Sequence, residues 1–377
     1  MMVTRPYLKE SKRFLVTVLL FCWTCVSPIQ LLGQPSTASQ VSELLQQGRI
    51  GDALTIGDTL HRQGRFSDSA DVFRQIAGFA EGLGEQNLQA EALVRQGQAE
   101  LANGSFLESL VTAQKCLRVL EDLPACLHLL GLSNYSLDQL TDAGKAFEDA
   151  LRLEPQNVGY LFNLALVRLR QSDMQAAEAA LVKAVEIDPG FGQGHLYLGR
   201  LLNTQNRNRQ AVDHLEKARQ LNPDSDGLLY HLGLAYKALG NDLKAIEILL
   251  IHVQKQPDAA APRITLGDCY LRINEWDKAL LQFRRATEIE PNRAKSHYLL
   301  AKALIELGRL DEALSSLQRS SSLEPTTEEP HYLMAQVYRR LGQIDEAKAQ
   351  IELYKVKKGV SRFLRDQEIR DTGGRPR

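Results

Sequence analysis

The stretch DPGFGQGHLYLG at 188–199 gathers Gly190, Gly192, Gly194 and Gly199 within ten residues. Glycines so spaced can cradle a phosphate when a strand leads in and a helix opens at the loop. Backbone N–H groups and the helix dipole then converge on the anion. The residues upstream, MQAAEAALVKAVEID, instead carry apolar side chains at Ala177, Ala180, Leu181, Ala184 and Val185, a helical spacing with no strand alternation. His195 also stands where the third glycine of GxGxxG belongs. The context excludes a phosphate loop, and the glycines need another explanation.

Other chemistry fares no better. His195, His297 and His331 recur at equivalent places and invite a metal. Equivalent positions on neighbouring packed helices lie about 10 Å apart, however, whereas ligands sit about 2 Å from an ion. They read as core or rim imidazoles. Asp311-Glu312 and Asp345-Glu346 fall early in helices, where carboxylates favour the dipole, and make no catalytic dyad. HExxH, paired CxxC motifs, GxSxG, a Walker loop and an EF-hand loop are all absent from the sequence. The expectation is a chain that is not an enzyme, with no catalytic residue, cofactor or metal.

What the residues do repeat is a spacing. Pro155, Pro189, Pro223, Pro257, Pro291 and Pro325 stand 34 residues apart. Twelve positions before each comes an alanine: Ala143, Ala177, Ala211, Ala245, Ala279 and Ala313. Ala347 continues the series into a seventh unit, where Gly359 replaces the proline. Phe147, Leu181, Leu215, Leu249, Phe283 and Leu317 precede the proline by eight, and Gly131, Ala165, Gly199, Gly233, Gly267 and Ala301 by 24. Each unit reads as two antiparallel helices touching through small residues. Asn206, Gly240, Asn274, Gly308 and Gly342 sit at the bends, being residue types that tolerate positive φ. The proline ends the second helix. One hairpin cannot bury its apolar stripe, so neighbours must stack into a solenoid whose concave groove is lined by the first helices. Pro189 and the 188–199 glycines are therefore architecture.

The pattern resembles the tetratricopeptide repeat family. YHLGLAYKALGNDLKAIEILLIHVQKQP (230–257) and HYLLAKALIELGRLDEALSSLQRSSSLEP (297–325) carry its landmarks in order. The resemblance covers 124–361 as seven units and extends more loosely over 50–123 as two degenerate repeats. It implies an all-α, right-handed superhelical solenoid of helix-turn-helix repeats. It also implies a non-enzymatic scaffold that binds a protein or peptide in its groove. Two further classes compete: an accessory subunit recruiting substrate to a partner enzyme, and an RNA-binding helical repeat. A secretory-type opening and the recurring proline argue against RNA, so no nucleic acid is expected.

Helix periodicity places Phe162, Asn163, Arg170, Tyr197, Arg200, Tyr230, His231, Lys237, Arg272, Tyr298, Lys302, Tyr332, Arg339 and Arg340 on or near the inner face. With Lys295, eight of the inner positions are basic, against Asp268, Glu306 and Glu329. Net charge is only -1 over 377 residues, so a preference for an acidic segment must come from this local bias. Asn163 is the candidate for holding a partner carbonyl. His128 and Leu132 occupy the places of the lysine and asparagine with which some family members clamp a terminal carboxylate, so that mode is not expected.

The ends differ. Arg5, Lys9, Lys12 and Arg13 precede an uncharged run from Phe14 to Val26, the signature of a secretory signal. Residues 1–38 are read as a signal peptide or a membrane anchor held by 14–32, 39–49 as a linker, and 362–377 as a cap with a disordered tail. The chain is expected to be exported, touching membrane only through its N-terminal segment. Cys116 and Cys126 flank a turn and could pair in an oxidising compartment, but the reading preferred here is small buried hydrophobes.

Overall fold

The computed structural model describes residues 36–371, with side chains through Val360. The N-terminal basic and apolar segment with Cys22 and Cys25, and the last six residues, lie outside the described residues. Contacts divide the chain into two compact units, one up to Gly194 and one from His195.

Unit 1 holds α1 (Thr37–Gln46), α2 (Ile50–Arg62), α3 (Phe66–Leu83), α4 (Gln86–Ala102), α5 (Phe106–Val119), α6 (Pro124–Ser136), α7 (Leu140–Leu153), α8 (Val158–Arg170) and α9 (Met174–Ile187). Consecutive helices pack as antiparallel pairs, and each pair packs on the next. The segment 39–49, expected as a linker, carries α1. Ser36 caps it by accepting from the Ser39 N–H at 3.3 Å, and Val41 and Leu45 are buried in a core with Phe73, Leu93, Cys116 and Cys126. Apolar spacing inside 41–45 makes this stretch part of the fold.

Unit 2 takes up α10 (Gly192–Thr204) from His195 onward. It continues through α11 (Asn208–Leu221), α12 (Leu228–Ala238), α13 (Asp242–Lys255), α14 (Ala260–Arg272), α15 (Trp276–Ile289) and α16 (Ala294–Glu306). It ends with α17 (Leu310–Leu323), α18 (Glu329–Arg340) and α19 (Ile344–Asp371). Among the described residues every element is helical, as an all-α repeat requires.

The repeat rests on three local devices. The first is the bend within each hairpin. Asp138, Ser172, Asn206, Gly240, Asn274, Gly308 and Gly342 all have positive φ, between 60° and 78°. At each, the next residue's N–H returns to a carbonyl five positions back, as Asn241 does to Tyr236 at 2.9 Å. This closes the helix with a left-handed cap. Asp138 and Ser172 are bends that the sequence does not advertise.

The second device is the proline, which stands two residues beyond the last helical residue of α7, α9, α11, α13, α15 and α17. Its ring excludes the residue before it from helical geometry. Glu154, Asp188, Asn222, Gln256, Glu290 and Glu324 accordingly leave it, with ψ from 77° to 93°. Where Gly359 replaces the proline, α19 runs on for 28 residues through the region expected to be a cap and tail.

The third device is close helix contact. The repeat alanines from Ala143 to Ala313 are fully buried. A Cβ at Gly131 would lie 2.5 Å from the Phe147 ring, and one at Gly233 2.6 Å from Leu249 Cγ. Gly57 and Gly97 hold the same place in the degenerate pair. There Ser69 and Ser109 replace the alanine and donate to the carbonyls of Gly57 (2.9 Å) and Gly97 (3.0 Å).

Candidate protein-binding face

The inner-face residues of unit 1 are closed off. Phe162 is buried at 1% exposure and meets the Phe191 ring edge-on at 5.3 Å, so it is core, not a partner contact. The ring of Phe191, from the inter-repeat turn, covers it. Asn163 is buried too and lies 2.7 Å from His128 Nε2; its amide serves the fold. Burial drives the His128 pKa down to about 4, so the ring is neutral and Nε2 accepts. Arg170 is almost fully covered. It donates to the Tyr135 carbonyl at 3.1 Å, pairs with Asp138 and stacks over the Tyr135 ring.

Unit 2 keeps a more open face. Tyr230 and Tyr298 are half-buried and Tyr332 is exposed. Tyr197 is buried, with the Arg200 guanidinium over its ring at 5.0 Å. Lys237 is ion-paired with Asp268. Arg272 lies 3.3 Å from Asp242 and donates to the Lys237 carbonyl at 3.1 Å. Arg340 donates to the Ile305 carbonyl at 2.9 Å. Lys302 is half-buried and Arg339 exposed, and neither makes an ion pair among the described residues. Of the expected basic set, internal pairing engages most members. The open cations concentrate with Tyr298 and Tyr332 on α16 and α18.

The recurrent histidines serve the hairpins. His297 Nε2 donates to the Pro291 carbonyl at 2.9 Å, and Arg263 does the same to Pro257 at 3.1 Å from the equivalent place. A side-chain donor here satisfies the carbonyl of the repeat proline, a role that spacing alone did not reveal. His331 bridges Ser321 (3.0 Å) and Gln350 (2.8 Å), and His195 meets His214 at 3.0 Å between Nδ1 atoms. His231 is half-buried, with Arg200 and His252 as its charged neighbours. Burial first, then those neighbours, depress its pKa to about 3. Among the described residues no group of three or more His, Cys, Asp or Glu side chains is arranged to hold a metal ion. No helix there is long and apolar enough to cross a membrane.

Two features of unit 1 stand apart from the groove, of which sequence reasoning missed the first and weighed the second only as an alternative. Glu100 is a buried carboxylate held by Gln96 (2.7 Å) and Thr112 (2.8 Å), with Arg74 at 3.3 Å, a satisfied polar network. Cys116 and Cys126 form a disulfide with Cα atoms 5.7 Å apart, which corrects the preference for two plain hydrophobes. The short α5–α6 connection brings the Cα atoms inside the bonding range. Cys269 is a buried free thiol whose pKa burial pushes up to about 12.

Comparison with known proteins converges on one pattern. Tetratricopeptide repeat models match residues 128–190, 196–260 and 304–356, and a model described as anaphase-promoting complex, cyclosome, subunit 3 matches 244–320. The chain is 35% identical over 111 residues to protein CTR9 homolog of Arabidopsis thaliana, covering 28% of this chain and 10% of that protein. It is 25% identical over 163 residues to human protein O-mannosyl-transferase TMTC3, covering 42% of this chain and 18% of that one. The matches therefore span only a small part of either relative. Among solved structures, YrrB, described as a TPR protein with an unusual peptide-binding site, aligns with a TM-score of 0.44 and 23% identity. That alignment covers 48% of this chain and 94% of YrrB.

Proposed function

Because this chain belongs to the tetratricopeptide repeat family, a family of protein-interaction scaffolds, we propose that unit 2 holds an acidic segment of a partner protein along α16 and α18. One observation carries the reading: among the described residues Lys302 and Arg339 have no acidic partner, and they stand on the same helices as Tyr298 and Tyr332. Tyr298 and Lys302 are one turn apart on α16; Tyr332 and Arg339 are two turns apart on α18. Tyrosines anchor a bound segment with little loss of side-chain entropy, while open cations steer and orient its carboxylates. Tyr230, Arg200 and the Lys237–Asp268 pair extend this face with less free charge.

The setting proposed is an exported or envelope complex that the scaffold helps to assemble. Two observations support it. The sequence opens on a basic segment followed by an apolar run, and Cys116 and Cys126 are bonded, as is usual outside reducing compartments. The face is non-catalytic in this reading, and any chemistry belongs to the partner.

The test is affinity capture with the full tagged chain and with Lys302→Glu/Arg339→Glu, partners being identified by mass spectrometry at low and high salt. Partners lost with the double variant and weakened by salt support an acidic segment on this face. Partners kept by both would overturn the acidic reading and move the interface elsewhere.

A further inference from the structure

The outer side of unit 1 carries a feature that the groove does not use. A hollow of about 540 Å3 opens between α5 and α7 over α6, lined by Leu110, Leu117, Leu127 and Leu130 together with polar side chains that include Asp142, Lys145 and Asp149. Its walls are covalently fixed, since Cys116 and Cys126 adjoin Leu117 and Leu127 and bond α5 to α6. Beside it on α5 stand Leu107 and Val111, 63% and 59% exposed. Helix periodicity sets them about 60 to 120° around α5 from Leu110 and Leu117, so the knobs flank the hollow on its α5 side. Large apolar side chains left this open, next to an apolar hollow, mark a surface that meets another protein.

We infer that this face binds the same face of a second copy of the chain, Leu107 and Val111 of each copy entering the leucine hollow of the other. The argument for a second copy is self-complementarity. A two-fold interface requires one patch to supply both halves of every contact, and this patch holds both the protrusions and the recess. Its charges obey the same rule once Asp149, which is paired with Arg152, is set aside. Asp142 and Lys145 lie one turn apart on α7, and among the described residues neither is ion-paired. Antiparallel apposition sets each Asp142 against the other copy's Lys145. The inference is independent of the acidic-segment reading, which concerns unit 2.

Sedimentation equilibrium on the purified full chain tests it, with thermal melting as a check on folding. The expected result is a dimer that Leu107→Glu/Val111→Glu converts to monomer without lowering the melting temperature, since both residues are exposed. Asp142→Lys should weaken the dimer by roughly tenfold or more, and Asp142→Lys/Lys145→Asp should restore it. The charge swap keeps the test decisive even if the glutamates perturb α5. A chain monomeric on the order of 50 µM, or a dimer indifferent to both sets of variants, would overturn the inference. The former would leave the face to a different protein.

Discussion

Arg170 closes the end of the first helix of the preceding repeat: it donates to the Tyr135 carbonyl at 3.1 Å while its guanidinium lies 4.7 Å above the Tyr135 ring. The same reach back, 35 positions, joins Arg272 to the Lys237 carbonyl and Arg340 to that of Ile305. Carbonyls in the last turn of a helix lack intrahelical donors and carry the negative end of its dipole. Here the N–H of the bend residue already reaches each of these carbonyls (Asp138 to Tyr135, Gly240 to Lys237, Gly308 to Ile305), and the arginine of the next repeat adds a second, charged donor. Residues that look in sequence like groove charges therefore hold neighbouring hairpins in register within each unit.

If Arg170 is a staple, its loss should show in stability and not only in binding. Arg170→Leu is expected to lower unfolding stability by about 1–3 kcal/mol, because Asp138 loses its cation, the Tyr135 ring its stacked guanidinium, and the Tyr135 carbonyl is left with the Asp138 N–H alone. Lysine at this position should recover only part, lacking the planar fork that reaches both groups. Arg272→Leu, at a 44% exposed side chain, should cost about 1 kcal/mol or less. Urea titration of the three variants checks the ranking; equal losses at both sites would contradict it.

The helix contacts within hairpins follow a size rule. Phe73, Phe147 and Phe283 each pack on a glycine, whereas the alanines at 165 and 301 stand opposite leucines. A Cβ at Gly267 would meet the Phe283 ring at 2.6 Å. Gly267→Ala should therefore cost about 1–3 kcal/mol by overpacking. Gly267→Ala/Phe283→Leu should recover a large share, since it recreates the alanine–leucine pairing found elsewhere in the chain. A double-mutant cycle by thermal unfolding measures the coupling, and additive losses would contradict the rule.

The repeat was legible because its devices are residue-specific. Proline, alanine and a bend glycine or asparagine each answer one geometric demand, so their 34-residue spacing reports the hairpins directly. Asp138 and Ser172 show where this ends: they adopt φ of 67° and 63°, and at least for Ser172 the surrounding hairpin imposes a conformation that its type rarely visits. The groove was less legible for a different reason. Periodicity says which side a residue faces, but not whether Phe191 will cover Phe162 or whether Asp268 will pair Lys237. Those depend on residues of neighbouring turns and repeats. The Arg170 staple is legible only once the offset of 35 is known to join two helix ends.

The disulfide makes a prediction about order between the degenerate and the regular repeats. A cross-link across 10 residues stabilises by about 2–3 kcal/mol in the chain-entropy account. Cys116→Ala/Cys126→Ala should lose about that amount and raise hydrogen exchange in α5 and α6 more than in α15 and α16. Mass spectrometry with thiol labelling gives the complementary check: in the unreduced unfolded chain Cys116 and Cys126 should resist alkylation while Cys269 reacts. Labelling of all three would show that the bond does not form.

Acid should loosen the fold through two desolvated, half-buried imidazoles. An unfolded histidine titrates near 6.5, whereas His128 and His231 have folded values of about 4 and about 3. Between pH ~6.5 and ~4 the unfolded chain therefore holds a proton that the folded chain refuses, so unfolding becomes easier as pH falls. The stabilisation is complete above the unfolded value and is lost as pH drops toward the folded one. By pH 4 each histidine contributes a loss on the order of 3 kcal/mol. His231→Gln removes one such proton. Its unfolding midpoint should fall less than that of the parent between pH 7.5 and 4.5, by an amount worth about 2–3 kcal/mol. Equal slopes in parent and variant would mean that His231 protonates without leaving its packed position.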